Sequence, residues 1–519
     1  MKKRVYVISF IMIFLLILGF QYKVDYDIRS QAPSDKWSKE VVIAKADVYT
    51  SPKILKSDKN NIIAFNDGDK LKVVIADDLG KKVKEKSFET KAGLIKEVNL
   101  LKGQGFFYLS FSFYENGANI LKTIKLDKEL NEVEQTKTEN VTETYQVGEE
   151  ILIVGHKDKV EVLDMSKNSK LNLNIKGATL FSGVKIEKGF MITYCNGEEG
   201  FSYITVENGV ASTPKIAGVL NKSGAMTFMR TSTSSDAENG YVLVEYSVQG
   251  EFVGTRVLRF ALDGSSKEAS ELYINENKIV YNILGTYSKE GARFFATTER
   301  VFGKKDWQKS IVEFILKGDK VASYNFASRL ARLTIYPAVA EDTIVYCSYN
   351  KENEYGIYMG SQNEQFKKVN NVHLPIEKEQ AVLNTLQGFM YSLVYIVYPI
   401  KWVMPIVLII AIQTFFSYSF TEEKKKLYFI ITCIVSTALK VSVVLSNSYG
   451  DKLYLLPQVL VYKWVGILIS IVISGICYSF GYKRYKEDLE GMPISSFFIA
   501  LTLDAMLTMM IYVPFFITL

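Results

Sequence analysis

The sequence predicts an all-β extracytoplasmic domain, a seven-bladed β-propeller, carried by an α-helical membrane domain of one N-terminal and four C-terminal transmembrane helices. Three observations lead there. The chain has 519 residues, too many for one ordinary domain. Its long apolar runs are confined to the first twenty residues or so and to the last hundred and forty or so. Between them, short apolar strands and polar turns recur with a period of about 45 residues, the blade length of propellers.

The chain opens on the basic flank Met1-Lys2-Lys3-Arg4, followed by the apolar run Val5 to Phe20. A cleaved signal peptide needs small residues at its end, whereas this run ends Leu18-Gly19-Phe20-Gln21-Tyr22. Residues 1–22 therefore read as an uncleaved anchor with its basic end in the cytoplasm.

Residues 23–375 carry the repeats. Seven apolar strands can be read directly: Asn61–Asn66, Gly105–Phe111, Glu150–His156, Gly189–Cys195, Gly240–Tyr246, Ala292–Thr298 and Asp342–Ser348. Each is followed by a partner: Leu71–Ala76, Ile120–Leu126, Val160–Leu163, Phe201–Val206, Thr255–Leu262, Ser310–Leu316 and Tyr355–Met359. A sheet that is apolar on both faces cannot stand alone, and radial packing of such sheets buries both. Val41–Ala44 and Val48–Tyr49, ahead of the first unit, are expected to complete the last blade and close the ring. The chain resembles propellers in architecture only. It lacks the Trp-Asp dipeptide and the double-glycine pattern of the common repeat classes, and architecture does not imply function.

Residues 376–400 read as an interfacial helix, because Leu383, Leu386, Met390, Leu393 and Val397 form one apolar stripe. Reading Ala381–Ile400 as a sixth span would leave almost no loop at Lys401. Residues 401–519 hold four spans, at Trp402–Phe420, Leu427–Ser446, Leu460–Tyr482 and Ile494–Thr518. Each is long enough to cross a core of ~30 Å. Lys424, Lys425 and Lys426 follow the first of these spans, and Lys483, Arg484 and Lys486 follow the third. With the N-terminus inside, both clusters fall in the cytoplasm. Residues 23–400 and the C-terminus then fall outside it.

Of 62 Lys and Arg, 13 lie outside residues 21–380, and of 56 Asp and Glu, 7 do, so the middle holds 49 of each. A formally neutral domain has no electrostatic footprint for nucleic acid. The two histidines, His156 and His373, are far apart in sequence, and no catalytic constellation is legible around them. Cys195 and Cys347 stand at equivalent places in units four and seven, which are not neighbours in a seven-membered ring. Both are expected to be unpaired core thiols. Asp67-Gly68-Asp69 lacks the spaced oxygen ligands of a calcium loop. No cofactor or metal site is indicated.

The membrane half holds two anomalies, Lys440 and Asp504, each within an apolar span. A charge in the bilayer interior is costly, so each needs a partner. Counted from the cytoplasmic ends of their helices, Lys440 lies about 20 Å up and Asp504 about 15 Å up. An intramembrane ion pair between them is expected. The function these features suggest is that of a non-enzymatic membrane-anchored envelope protein. Its propeller binds a protein, peptide or glycan ligand as scaffold or sensor, and its helices anchor it or engage a membrane-protein partner. Two alternatives remain: a transporter component with the propeller as receptor domain, which predicts polar residues sharing one helix face, and a propeller-type extracellular hydrolase or lyase, which predicts acids converging at one mouth of the ring.

Overall fold

The computed structural model describes residues 2–90, 94–197, 200–221, 224–264, 267–302, 306–329, 333–351, 354–394, 399–416, 422–445, 456–487 and 493–516. They form two compact units. One is made of residues 31–300 and 307–372, and the other of residues 1–30, 301–306 and 373–519.

The first unit is a seven-bladed β-propeller of seven antiparallel sheets. In six blades the strands follow chain order from the axis outward. The innermost strands of blades 1 to 7 are Lys53–Ser57, Ile95–Lys102, Glu143–Val147, Ala178–Ile186, Met226–Ser235, Val280–Thr286 and Thr334–Ala340. The innermost strand of each blade lies against the next around the ring, and that of blade 7 against that of blade 1. Blade 7 takes its outermost strand from the other end of the domain: Val41–Ala46 pairs antiparallel with Glu354–Ser361, with Val41 opposite Met359. This closes the ring non-covalently. Val48 and Tyr49 are not part of any strand; they lie in the connection to blade 1.

The apolar clusters sit between blades. Leu55, Val73, Leu100 and Phe111 fill the interface of blades 1 and 2. Ile63, Val74, Val345 and Cys347 fill that of blades 7 and 1. The second and third strands of a blade are therefore buried on both faces. The second strand of blade 3, Ile151–Gly155, is buried along its whole length. The fourth strands of blades 1, 2, 3 and 5 meet water and are polar, as in Glu132–Glu139, Glu-Val-Glu-Gln-Thr-Lys-Thr-Glu. Where innermost strands crowd, side chains disappear: a Cβ on Gly285 of blade 6 would stand 1.9 Å from the Thr233 carbonyl oxygen of blade 5.

Strand alternation sorts the loops onto two faces. The innermost strands all begin on one face, here called the mouth face. Because the closing strand starts where the last strand of blade 7 ends, the chain enters and leaves the propeller on the opposite face. The entering arm is fastened there. Trp37 is fully buried among Phe295, Ile311, Ile344 and Tyr346. Its Nε1 donates to Glu313 Oε2 at 2.9 Å. Lys36 Nζ (2.8 Å) and Arg293 Nε (2.7 Å) donate to the same carboxylate.

The second unit is helical: α1 (Lys2–Arg29), α3 (Pro375–Val394), α4 (Ile400–Phe416), α5 (Glu422–Leu445), a single turn α6 (Gln458–Val461), α7 (Lys463–Glu487) and α8 (Pro493–Phe516). The short helix α2 (Glu364–Asn370) belongs to the propeller unit. Among the described residues, four stretches are long and apolar enough to cross a bilayer: Ile8–Arg29, Lys424–Val443, Lys463–Lys486 and Ser495–Phe516. Ile400–Ile412 is apolar but shorter, and residues 417–420 of the expected Trp402–Phe420 span lie outside the described residues.

Helix α1 runs past the expected anchor end at residue 22 to Arg29. Its added turns carry the i,i+4 pairs Lys23–Asp27 (3.0 Å) and Asp25–Arg29 (2.8 Å). The expected interfacial segment 376–400 forms α3 and the start of α4. The face of α3 made by Glu377, Ala381, Thr385, Gly388 and Ser392 is buried, packed against α1 and α8. Gly388 brings the backbones close, since a Cβ there would lie 2.9 Å from Pro514 Cβ. Phe389 meets Phe14, halfway along the apolar run of α1, at a centroid distance of 5.3 Å. The stripe of Leu383, Leu386, Met390 and Leu393 stays exposed. Val397 lies outside the described residues. Small residues inward and leucines outward explain why the helix joins the bundle rather than lying apart from it.

Candidate functional site

Two sites emerge, one in each unit. In the membrane unit, Lys440 of α5 and Asp504 of α8 are both fully buried, with Lys440 Nζ donating to Asp504 Oδ1 at 2.7 Å. Ser474 of α7 donates to the same oxygen at 2.9 Å. Lys440 Nζ also donates to Thr508 Oγ1 at 3.3 Å. One turn away, the Ser436 and Tyr478 hydroxyls are 2.6 Å apart.

The second site is the mouth of the propeller channel, and no residue of it was singled out in the sequence. Each innermost strand contributes near its first residues: Lys53, Glu97, Glu143, Leu180, Arg230, Asn282 and Tyr336 for blades 1 to 7. Contacts between blades that are not neighbours place side chains at the axis. The Arg230 guanidinium of blade 5 lies over the Tyr336 ring of blade 7 at 5.2 Å. It is steadied by Nη1 donating to Asn282 Oδ1 at 3.1 Å. Lys53 of blade 1 interacts electrostatically with both Arg230 and Glu97. Glu97 Oε2 accepts from Thr144 Oγ1 at 2.6 Å and Thr144 N at 3.0 Å.

The mouth is strained as well as charged. Leu180, Asn282 and Tyr336 occupy the left-handed region with φ of 54°, 52° and 55°, each at a register shift of its innermost strand. A bulge that turns a bulky residue left-handed re-aims a side chain at a cost, and such strain concentrates at binding surfaces. Beside Tyr336 sits Tyr49, 5.7 Å away, which also meets Tyr355 at 5.2 Å, and Tyr349 lies 5.8 Å beyond. The mouth therefore has an acidic side at blades 2 and 3, cations from blades 1 and 5, and an aromatic side at blade 7.

Burial sets the charge states. Glu143 is pushed up to about 7 by burial, with Glu97 adding to the shift and the Phe181 and Leu180 amides opposing it. Burial pushes the Lys53 ammonium down, Glu97 opposes this, and Arg230 adds to it. Beneath the mouth, burial also raises Glu245, whose Oε1 accepts from Ile283 N at 3.0 Å. With its folded value at about 7, Glu143 changes charge near neutrality, so the polarity of the mouth responds to pH.

The remaining sequence candidates have structural company. His156 Nδ1 lies 3.2 Å from the Asn140 carbonyl, and Nε2 lies 3.6 Å from Glu161. His373 packs on Tyr26 at 5.4 Å. Cys195 and Cys347 are buried thiols outside any disulfide and lie in different blades, and Cys195 Sγ donates to the Gly197 carbonyl at 3.1 Å. Asp67 Oδ1 accepts from Asp47 N at 2.6 Å, and its carboxylate pairs with Lys72. The described residues contain no group of three or more metal-ligating side chains.

No protein family model and no curated protein matches the chain. Solved structures similar to it include the WD40 domain of coronin from Toxoplasma gondii, at 10% identity and a TM-score of 0.37, covering 64% of this chain and 86% of that one. Another is the β-propeller domain of the Trilobed protease from Pyrococcus furiosus, described as having an open velcro topology. It shows 8% identity and a TM-score of 0.35, covering 62% of this chain and 98% of that one. This chain is a membrane-associated propeller protein. Its ring is closed by its own strand pairing, and its helices are long and apolar enough to span a bilayer.

Proposed function

We propose that this protein is a non-enzymatic binding protein of the cell envelope. Its propeller lies outside the cytoplasm and takes a peptide or glycan segment at the channel mouth, while its helices anchor it and engage a membrane partner. The observation that carries this reading is the mouth itself: the innermost strands bring cations, carboxyls and Tyr336 to one axis, with Tyr49, Tyr355 and Tyr349 packed edge-on beside it. The chain's own two connections leave the domain on the opposite face. A peptide or a sugar chain offers the mixture of acceptors, donors and flat apolar surface that such a ring matches.

The test uses the full chain in nanodiscs against peptide and glycan arrays, with Arg230→Ala and Tyr336→Ala as variants. Binding to one ligand class, weakened at least about tenfold by either variant, is expected, the loss of one anchoring contact. Binding that both variants leave unchanged refutes the assignment to the mouth. The convergence of Glu97 and Glu143 favours a second reading, a hydrolase or lyase of the same polymer. Turnover of a bound glycan that Glu143→Gln abolishes, with binding retained, would establish it in place of the first.

A further inference from the structure

The polar residues of the membrane unit fall into columns. On α5, Thr432, Ser436 and Lys440 follow at intervals of four, and all three are buried. On α7, Ser470, Ser474 and Tyr478 do the same. On α8, Ser496, Asp504 and Thr508 lie on one face at multiples of four, again buried. Side chains four apart share a helix face, and the three faces meet each other: α5 reaches α7 through Ser436 and Tyr478, α7 reaches α8 through Ser474 and Asp504, and α5 reaches α8 through Lys440 and Asp504. From Ser496 to Thr508 the α8 column rises about 18 Å, more than half of a ~30 Å hydrocarbon core.

An ion pair kept only as glue between helices would have its oxygens satisfied. This one does not. Asp504 Oδ1 accepts two hydrogen bonds, while Oδ2 is buried with no partner among the described residues, and the Ser470 hydroxyl, one turn from Ser474, is likewise buried and unpartnered. A buried carboxylate oxygen without a donor calls for a ligand. The ammonium of Lys440 already stands 2.7 Å from the carboxylate and would repel a metal cation. A proton can still be taken at the free oxygen.

We propose that the three polar columns form a proton track with Asp504 as its exchanging centre. The Asp504 carboxylate accepts a proton at Oδ2 from hydronium, an O–H bond forms, and water is released. The pair passes from net neutral to singly positive, and the lysine's bond to Oδ1 weakens while its bond to Thr508 remains. Return of the proton restores the pair. The other titratable groups around Asp504 are Cys433 on α5 and Cys477 and Tyr478 on α7. Among the described residues, α1, α3 and α4, which also pack on α8, bring none against it.

The experiment is infrared difference spectroscopy of the full chain in nanodiscs, titrated from about pH 4 to 10 across the carboxyl range. A protonated-carboxyl band that grows on acidification and is missing from Asp504→Asn is expected. Two further variants keep the carboxyl, and one of them, Ser474→Ala, also keeps the ion pair, so the test does not depend on the folding of Asp504→Asn. Lys440→Met should enlarge the band at neutral pH, because the counter-ammonium is gone, and Ser474→Ala should shift its frequency, because a hydroxyl that donates to the carboxyl at 2.9 Å is lost. A wild-type spectrum without any such band, or one that all three variants leave unchanged, overturns the proposal and leaves a permanent ion pair.

Discussion

Removing the Glu313 carboxylate should unfasten the propeller. The side chain is 2% exposed and accepts from Arg293, Lys36 and Trp37 at 2.7, 2.8 and 2.9 Å, and from Gln362 Nε2 at 3.3 Å. These donors come from blade 6, from the entering arm and from the segment just after blade 7, so one carboxylate ties both ends of the domain to its sixth blade. Glu313→Ala strands the Arg293 charge and the buried indole N–H. Breaking a buried pair in this way costs about 3–5 kcal/mol. Trp37→Phe keeps most of the buried ring and loses one hydrogen bond to a charged group, about 1.5–3 kcal/mol. The assay is urea unfolding of the full chain in detergent, followed by the β-sheet circular dichroism signal.

The pH dependence supplies an internal check. Burial alone would raise Glu313, but Arg293, Lys36 and Trp37 outweigh it, and the carboxyl is held below its ordinary value. Its stabilisation is therefore present above the ordinary glutamate value and is lost as pH falls through the lower folded value. The gap between wild type and Glu313→Ala should close in acid. A gap under about 1 kcal/mol at neutral pH, or one that widens in acid, would refute the latch.

Gly285→Ala should destabilise the ring by about 1–3 kcal/mol in the same assay, because the added methyl meets the Thr233 carbonyl. Glu143→Gln has the opposite pH profile to Glu313→Ala. With the folded value raised to about 7, the buried carboxylate costs stability progressively from the ordinary glutamate value up to about pH 7 and by a constant amount above it, so the variant should gain on wild type across that window, level off above pH 7 and match it in strong acid. In the membrane unit, Asp504→Asn and Lys440→Met should each lower detergent-resistant yield. The double variant should recover much of the loss, with a coupling of about 1–3 kcal/mol, and additive losses would show that the two side chains act independently.

The sequence showed the two middle strands of every blade because those strands are apolar on both faces. Gly-Phe-Met-Ile-Thr-Tyr-Cys at 189–195 advertises its burial wherever it is placed. It did not show the strands on either side of them. Most outermost ones are polar because water covers them, and Lys82–Glu89 reads as a charged loop until its pairing with Lys70–Asp77 is known. The innermost ones are short or bulged, so their alternation breaks where the chain turns left-handed at Leu180, Asn282 and Tyr336. The closing strand was legible at Val41–Ala44 and runs two residues further.

The sites divide in the same way. Lys440 and Asp504 were conspicuous because a charge in an apolar run is costly wherever its helix lies. Their setting was less so: the spacing of Thr432, Ser436 and Lys440 by four was present in the chain, yet serine and threonine are common in apolar helices, and only the packing of α5, α7 and α8 turns three stripes into one column. The mouth could not be read at all. Lys53, Glu97, Glu143, Arg230 and Tyr336 stand tens of residues apart, each ordinary in its own strand, and it is the closure of seven blades that brings them to one axis. Local polarity and periodicity determined which segments are buried and which are long and apolar enough to cross a membrane. Which side chains meet was decided by ring closure and helix packing, because those contacts join residues that the chain itself keeps far apart.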